Sequence, residues 1–283
     1  MLQQKHTCLH ISAVTYDTER SELTNTIDSV MAAAKLLRTS RPDVRICLTV
    51  VNNNNRYNID SSEFDTVLSN SGFDISALRL IQGHINVGYG CGQNMAFFGQ
   101  HSKYHLFLNP DVELDPGCLL AGIDYLEQNP DVGLAGPCVV NRAGVKQFLC
   151  KRYPTVLDLL LRGFTPKVIR RFFDARLARY EMHDLSETEP QKDIPITSGC
   201  FLLCRSRVVS QIGGFDPKFF LYFEDFDLCM RAGKVSRVAY LPSMRIRHFG
   251  GNTARKGLRH ILFFMVSAIR FFTKHGWQWV RQR

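Results

Sequence analysis

Two kinds of apolar pattern alternate along the first half of the chain. Continuous apolar runs predict buried strands at residues 8–16, 44–51, 77–83 and 104–108. Between them lie segments with apolar residues at helical spacing, which are residues 21–40, the stretch after Gly88 and the stretch opened by Pro116. Strands that alternate with helices predict an α/β fold with a mixed, mainly parallel sheet flanked by helices.

Polar clusters follow the predicted strands where each strand ends. They are "TYD" (15–17), "NNNN" (52–55), "NVGYGCGQN" (86–94) and "NPD" (109–111). Ligands of such sheets bind beyond the carboxyl ends of the strands, so these clusters predict a site there. In the third cluster Gln93 occupies the place of the last glycine of a dinucleotide fingerprint. A close backbone approach to a ligand and a plain glycine-rich turn therefore explain that cluster equally well.

Asp111 is a candidate metal ligand. It follows an apolar strand, and a carboxylate combined with phosphate oxygens and water is the usual environment of Mg²⁺ or Mn²⁺ at a nucleotide. The alternative is that Asp111 caps the following turn. His248 comes after the short apolar run 237–242 and is a candidate third, nitrogen ligand, although a lone histidine is more often structural.

The stretch "FFLYFEDFDLCMRAG" (219–233) surrounds three carboxylates with aromatic rings. Its spacing predicts a helix from Tyr222 to Arg231, in which Asp227 and Arg231 form a supporting pair worth about 0.5 kcal/mol. Glu224 and Asp225 fall in the first turn, where neighbouring rings would desolvate them and raise their proton affinity. A general base for a sugar hydroxyl needs this property, but helix-capping acids would show the same sequence.

Composition and charge narrow the class of protein. Hydrophobic residues make up 45% and charged residues 22% of 283 residues, which is typical of a globular protein that folds alone. The net charge of +9 is concentrated in residues 151–180 and 251–283, where cations alternate with Leu, Phe and Trp. These segments predict contact with an anionic membrane surface; a solvated helix face with a domain-closing helix is the alternative.

Cysteine usage and the amino terminus indicate the compartment. The nine cysteines are scattered through apolar runs, which is typical of reduced, buried thiols rather than of disulfides or a zinc site. The first residues lack the pattern of a signal peptide, and no apolar run reaches the roughly 20 residues that span a bilayer. We therefore expect a cytoplasmic protein, peripheral at the inner face of the cytoplasmic membrane.

Taken in order, these motifs resemble those of the family-2 glycosyltransferases. The resemblance covers residues 8–275 and rests on "AVTYD", "VVNNNN", "NVGYGCGQN", "LNPDV", "SGCFLLCRS", "IGGFDPKFFLYFEDFDLCMR" and "HFGG". Within the family the chain is most similar to the bacterial branch that includes rhamnosyltransferases. The resemblance implies the GT-A fold and an inverting transfer of a sugar, such as rhamnose, from a dTDP- or UDP-linked donor to a saccharide or lipid-linked acceptor in surface polysaccharide synthesis.

Carried over by position, the resemblance also implies residue roles. Asp225 would be the catalytic base with Glu224 beside it, and Asp111 and His248 would hold Mg²⁺ or Mn²⁺. The implied donor-binding residues are Thr15, Asp17, Asn52, Asn86, Gly88, Asn94 and Asn109. Two departures weaken the match, because Asn52 replaces the family's usual pyrimidine-reading aspartate and Asn109 replaces the first aspartate of its metal motif. An asparagine carbonyl still accepts the hydrogen bond from a pyrimidine.

The sequence also predicts a domain organisation and leaves two alternative functions open. One domain spans residues 1–283, with a nucleotide-sugar half (1–115), an acceptor and catalytic half (116–250) and a basic amphipathic tail (251–283). A nucleotidyltransferase is an alternative, but it would need a glycine-rich phosphate loop after the first strand, where "TYDTERSEL" has no glycine. A non-catalytic nucleotide- or membrane-binding module is the other alternative, and no nucleic-acid motif is present.

Overall fold

The computed structural model describes residues 7–72, 78–250 and 257–280. Its strands are β1 (Thr7–Thr15), β2 (Val44–Asn52), β3 (Leu78–Ile81), β4 (Tyr104–Leu108), β5 (Val112–Leu114), β6 (Val132–Val140), β7 (Lys146–Gln147), β8 (Gln191–Lys192), β9 (Phe201–Arg205) and β10 (Arg237–His248). They form one sheet in the order β3-β2-β1-β4-β9-β6-β10-β5, with β7 paired to β6 and β8 to β10.

Parallel and antiparallel pairing occupy different parts of this sheet. β3, β2, β1 and β4 are parallel to one another, and β6 is parallel to β10. β9 is antiparallel to both β4 and β6, and β5, β7 and β8 add antiparallel pairs. The expected mixed α/β sheet is confirmed, and its parallel share is smaller than expected because the second half of the chain inserts β9 and short hairpin strands.

The helices are α1 (Arg20–Ser40), α2 (Asp65–Ser71), α3 (Tyr89–Phe97), α4 (Cys118–Gln128), α5 (Val156–Phe164), α6 (Lys167–Arg170), α7 (Asp174–Tyr180), α8 (Ser206–Gln211), α9 (Glu224–Ala232) and α10 (Leu258–His275). They cover both faces of the sheet. Alternate residues of β4 show this, because Leu106 packs into the core beneath α1 and α4 while Phe107 packs into the core beneath α8 and α9. Among the described residues, no helix is long and apolar enough to cross a bilayer.

A third core joins α10 to α5 and α9. It consists of aromatic side chains, with Phe223 of the segment before α9 lying 5.4 Å from Phe271 of α10 between ring centroids. Phe226 of α9 meets the same ring of Phe271 edge-on at 6.0 Å. The carboxyl-terminal helix is therefore packed against the stretch that contains the three carboxylates.

Asp227 anchors this contact electrostatically. The predicted pair with Arg231 is present, with Nε 2.7 Å from Oδ2, and Lys274 and His275 of α10 approach Oδ1 at 2.7 and 2.8 Å. The Asp227 side chain is fully buried. Burial raises its pKa, but the hydrogen bonds from His275, Lys274 and Arg231 outweigh burial and lower the pKa to about 2. The carboxylate is therefore ionised and joins α9 to α10.

We expect Asp227→Asn to lower the free energy of unfolding by about 3 to 5 kcal/mol, because it leaves the largely buried guanidinium of Arg231 without its carboxylate partner. This exceeds the value expected from a helix-surface pair. Urea unfolding measures the change. Asp131→Asn is the matched control, since Asp131 also meets two cations, Lys192 and Arg237, but at an exposed position, where about 0 to 1 kcal/mol is expected. An equal decrease in the free energy of unfolding for the two variants would contradict the anchoring role of Asp227.

Candidate active site

An open cavity of about 770 Å³ lies beyond the end of β4. Its wall includes Asn109, Asp111, His248, Gly199, Glu224 and Asp225. The structure thus places the predicted metal ligands and the predicted catalytic carboxylates in one cavity. Thr15, Asp17, Asn52, Asn86, Gly88 and Asn94 are not among the residues that line it.

Sheet pairing brings Asp111 and His248 together. β10 runs antiparallel to β5 with His248 opposite Val112, and the Phe249 N–H donates to the Asp111 carbonyl at 3.0 Å. As a result His248 Nε2 lies 3.5 Å from Asp111 Oδ1. When two ligand atoms bind the same cation, each at about 2.0 to 2.2 Å, the separation between the two ligand atoms is similar to this Nε2–Oδ1 distance.

Gly250 leaves space beside these two side chains. A Cβ atom at this position would lie 2.2 Å from Asp111 Oδ2 and 3.1 Å from His248 Nε2. Within the part of the chain that the structure describes, no group of three or more His, Cys, Asp or Glu side chains forms a metal cluster. The residues present therefore fit a cation that takes two protein ligands and completes its shell with phosphate oxygens and water.

The turn before α9 aims the two carboxylates into the cavity. Tyr222 and Phe223 both have left-handed backbone, with φ of 68° and 62°. The helix therefore begins at Glu224 rather than at the predicted Tyr222. Left-handed backbone at an aromatic residue costs about 1 to 3 kcal/mol and is concentrated at functional sites.

Asp225 is held by two backbone donors. Its Oδ2 accepts the Gly199 N–H at 2.8 Å and its Oδ1 accepts the Phe226 N–H at 2.9 Å. A side chain at position 199 would have its Cβ only 2.9 Å from the Asp225 Cβ. Tyr89 donates its hydroxyl to the Gly199 carbonyl at 2.7 Å and fixes this segment. The carboxylate is thus oriented before any ligand binds.

Glu224 and Asp225 differ in their hydrogen bonds. Burial, followed by the neighbouring Asp225, raises the pKa of Glu224 to about 8. Burial also raises the pKa of Asp225, and the hydrogen bonds from Gly199 and Phe226 oppose this shift. Glu224 Oε2 is buried without a hydrogen-bond partner among the described residues. Because Asp225 accepts two backbone hydrogen bonds and Glu224 Oε2 accepts none among the described residues, the shared environment favours the proton on Glu224 and the negative charge on Asp225.

The ends of β1 and β2 form a separate polar network. Asn54 donates to Asp17 Oδ1 at 2.6 Å, and the Asn53 N–H donates to the Thr15 carbonyl at 2.9 Å. Asn52 is buried, donates to the Tyr57 carbonyl at 2.8 Å and accepts the Asn54 N–H at 2.9 Å. The polar clusters of the two strands therefore meet, and donor binding by Thr15, Asp17 and Asn52 stays a prediction.

The glycine-rich turn contacts the protein's own backbone. Gly88 has a φ of 85°, and a Cβ there would lie 2.2 Å from the Phe220 carbonyl oxygen. Asn86 accepts the Gly88 N–H at 2.9 Å. Asn94 donates to the Phe215 carbonyl at 2.8 Å and accepts the Phe215 N–H at 2.9 Å. These contacts hold the segment before α9, and a role of these residues in donor binding stays a prediction.

One part of the cavity is cationic and was not predicted from the sequence. Lys151, Arg162 and Glu181 line it together, with Glu181 Oε1 at 3.2 Å from Lys151 Nζ and 3.0 Å from Arg162 Nε. The excess of basic residues in 151–180 indicated that cations were concentrated in this segment. Composition alone could not show which of them line a cavity and which lie on the surface. Gly199 was also missed, although it lies in the quoted motif "SGCFLLCRS".

Comparisons with known proteins agree with this geometry. No family model matches the chain. It is 28% identical over 218 residues to the N-acetylglucosaminyl-diphospho-decaprenol L-rhamnosyltransferase of Mycobacterium tuberculosis, covering 71% of this chain and 69% of that protein. It is 22% identical over 213 residues to the rhamnosyltransferase WbbL of Escherichia coli strain K12, covering 69% of this chain and 71% of that protein.

Solved structures show the same fold. GalNAc-T7 crystallised with UDP, GalNAc and Mn²⁺ superposes with a TM-score of 0.63 at 10% identity over 96% of this chain, which spans about half (48%) of that chain. Residues 1–349 of S. aureus TarS in complex with UDP give a TM-score of 0.53 at 12% identity, over 93% of this chain and 65% of that one. The fold is that of the GT-A glycosyltransferases. In sequence the chain is similar to rhamnosyltransferases.

We expect Glu224→Gln to stabilise the protein at alkaline pH. Between pH 4.5 and about 8 the unfolded chain releases the Glu224 proton while the folded chain retains it, so stability falls as pH rises through this window by up to about 1.4 kcal/mol per pH unit. Glutamine removes this dependence. Urea midpoints at pH 5 and pH 8.5 measure the difference between variant and wild type. A difference that is the same at both pH values would show that Glu224 has an ordinary pKa.

Proposed function

We propose that this protein is an inverting, metal-dependent glycosyltransferase. It transfers a sugar such as rhamnose from a dTDP- or UDP-linked donor to a hydroxyl of a saccharide or lipid-linked saccharide in bacterial surface polysaccharide synthesis. One cavity lined by Asp111, His248, Glu224 and Asp225 is the observation that supports this proposal most strongly. The curated relatives are rhamnosyltransferases, and one of them is named for a diphospho-decaprenol substrate.

Asp111 and His248 would hold Mg²⁺ or Mn²⁺. The 3.5 Å between their ligand atoms and the space left by Gly250 support this assignment. A bound divalent cation neutralises the charge of the departing nucleoside diphosphate. Asn109 shares the cavity with Asp111 and would orient the donor, with Asn86, Gly88 and Asn94 supporting the donor side of the site. Thr15, Asp17 and Asn52 would bind the nucleotide from the ends of β1 and β2.

Asp225 would act as the general base. It removes the proton of the acceptor hydroxyl while that oxygen attacks the anomeric carbon from the face opposite the leaving diphosphate, so one displacement inverts the configuration. The backbone donors at Gly199 and Phe226 favour the ionised form of Asp225 and orient it. Glu224, protonated beside it, would donate a hydrogen bond to the acceptor or to Asp225. The division of the chain into 1–115, 116–250 and 251–283 follows these roles.

Association with an anionic membrane surface is part of this proposal. α6 and the 3₁₀ turn after it expose Val168, Ile169 and Phe172, and α10 and the segment after it expose Leu258, Leu262, Trp279 and Val280. Basic residues lie in the same segments, a combination that suits a headgroup layer. Residues 251–256 and 281–283 of the predicted basic tail lie outside the described residues.

The test of the mechanism is Asp225→Asn. The amide keeps the shape of the side chain but cannot accept a proton, so turnover should fall by about 10² to 10⁴ while donor affinity changes little. Turnover is measured as nucleoside diphosphate released from a panel of dTDP- and UDP-sugars with a saccharide acceptor. Asp131→Asn, at the protein surface, is the control and should retain activity.

Two results would contradict the assignment of the base. Near-normal turnover of Asp225→Asn together with inactivity of Glu224→Gln would place the base at Glu224. Activity of both variants would show that these carboxylates are structural. An inactive wild-type protein with every donor in the panel would contradict the glycosyltransferase proposal itself.

The donor and metal assignment has a binding test without catalysis. UDP or dTDP with Mn²⁺ should raise the melting temperature, since a ligand at 100 times its Kd stabilises the native state by about 2.7 kcal/mol. Asp111→Ala should remove the Mn²⁺-dependent part. Gly250→Ala, which crowds both ligands, should weaken apparent Mn²⁺ affinity by about 10-fold.

Gly117→Ala is the control for the added methyl group, because a Cβ there has no neighbour within 4 Å. Equal stabilisation of wild type and both site variants by UDP with Mn²⁺ would show that the nucleotide binds elsewhere. Equal stabilisation by purine and pyrimidine diphosphates would contradict pyrimidine recognition near Asn52.

A further inference from the structure

An apolar groove of about 300 Å³ lies between α5 and α10. Its lining is apolar throughout and consists of Val156, Leu159, Leu160, Phe264, Met265, Ala268, Ile269, Phe272 and Trp277. Several of these side chains are about half exposed, including Leu160 (49%), Met265 (52%) and Ile269 (52%). Open apolar grooves of this kind mark binding sites for apolar partners.

The groove is built before any ligand arrives. Thr155 and Asp158 form a capping box at the start of α5, and Arg176 contacts Asp158 at 2.6 Å. The N–H groups of Val156 and Leu157 donate to the carbonyls of Gln278 and Trp279 at 2.8 and 3.1 Å. The segment after α10 is thereby attached to the first turn of α5, which fixes the two helices that form the groove.

The same helix also reaches the active-site cavity. Arg162, three residues after Leu159, lines the cavity with Lys151 and Glu181. Three residues of helix rise span about 4.5 Å. On the other side, Phe264 of the groove lies 5.1 Å from Phe223, which lies 5.1 Å from Phe226 of the cavity wall. A short aromatic wall and one helix turn therefore separate the groove from the cavity.

The cavity end of α5 has an excess of positive charge. Among the described residues, the cations Lys151 and Arg162 both form their ion pair with the same carboxylate, Glu181. Lys151 is 3% exposed, and burial followed by repulsion from Arg162 lowers its pKa to about 8. A second anion at this position would compensate the unpaired charge and favour the charged lysine.

We propose that α5 is the acceptor-binding helix, with Arg162 and Lys151 contacting the phosphate or diphosphate group of a lipid-linked acceptor and the α5–α10 groove holding its apolar chain. This inference rests on the proposed function and names the acceptor class that the site selects. The occupant is a single long-chain phosphate ester rather than a bilayer. The argument is charge complementarity, because the cationic pair lies one helix turn from a groove that is otherwise wholly apolar.

Tryptophan fluorescence provides a direct measurement. The chain has two tryptophans; Trp277 lines the groove, and Trp279 stacks on it at 5.3 Å. Farnesyl diphosphate, titrated below its aggregation concentration, should shift the emission to shorter wavelength with saturation. Inorganic diphosphate should produce no shift, and farnesol should bind at least about tenfold more weakly, because it lacks the charged group.

Two pairs of variants separate the charged and apolar parts. Arg162→Gln should lower the affinity for farnesyl diphosphate about tenfold without changing the affinity for farnesol. Arg171 is an exposed cation outside both the cavity and the groove, so Arg171→Gln should change neither affinity. Ile269→Gln should lower the affinity for both farnesyl diphosphate and farnesol. Leu262→Gln, an exposed residue of α10 outside the groove, is its matched control.

Three results would overturn the inference. Equal affinities for farnesyl diphosphate and farnesol in both wild type and Arg162→Gln would leave a non-selective apolar groove. A shift of the emission by anionic vesicles but not by monomeric farnesyl diphosphate would make the groove a bilayer contact. Sugar transfer to a lipid-linked acceptor with no farnesyl diphosphate binding would retain the proposed function and reject this site, while the expected binding without sugar transfer would reject the function and retain the site.

Discussion

The buried carboxylate of Asp227 determines how the second half of the molecule is assembled. It contacts Arg231 of its own helix and both Lys274 and His275 of α10. A single ionised group therefore contacts both helices. The aromatic cluster around Phe271 then excludes water from the contact. Because α9 begins with Glu224 and Asp225, the position of both cavity carboxylates depends on this attachment. The groove between α5 and α10 depends on it as well.

The neighbouring carboxyls Glu224 and Asp225 acquire different protonation states from their surroundings. Both are desolvated, and two adjacent negative charges in a buried site are unfavourable. Backbone N–H groups of Gly199 and Phe226 contact Asp225, and burial raises the pKa of Glu224 to about 8. The surroundings thus favour a proton on Glu224 and a negative charge on Asp225. The left-handed backbone at Tyr222 and Phe223 places both in the cavity and is stabilised by the surrounding aromatic packing.

The second half of the chain also shows how one helix can serve two environments. α5 presents Arg162 to a polar cavity and Val156, Leu159 and Leu160 to an apolar groove. An amphiphilic ligand matches this division, because its charged group and its chain need different surroundings. The cations and apolar residues of 151–180, which composition alone assigned to a membrane surface, are therefore divided between the outer surface and the interior of the site.

The sequence by itself determined the alternating strands and helices of the first half, the mixed sheet, the Asp227–Arg231 pair, the place of Asp111 near a sheet edge and that of Asp225 in the first turn of a helix. These features are local, since periodicity and short spacing encode them. The start of α9 at Glu224, the partners of Asp227 on α10, and the meeting of Lys151, Arg162 and Glu181 were not predictable. Only the tertiary structure decided them, because they depend on residues far apart in the chain, such as Asp227 and His275, that pack together after the sheet and helices have formed.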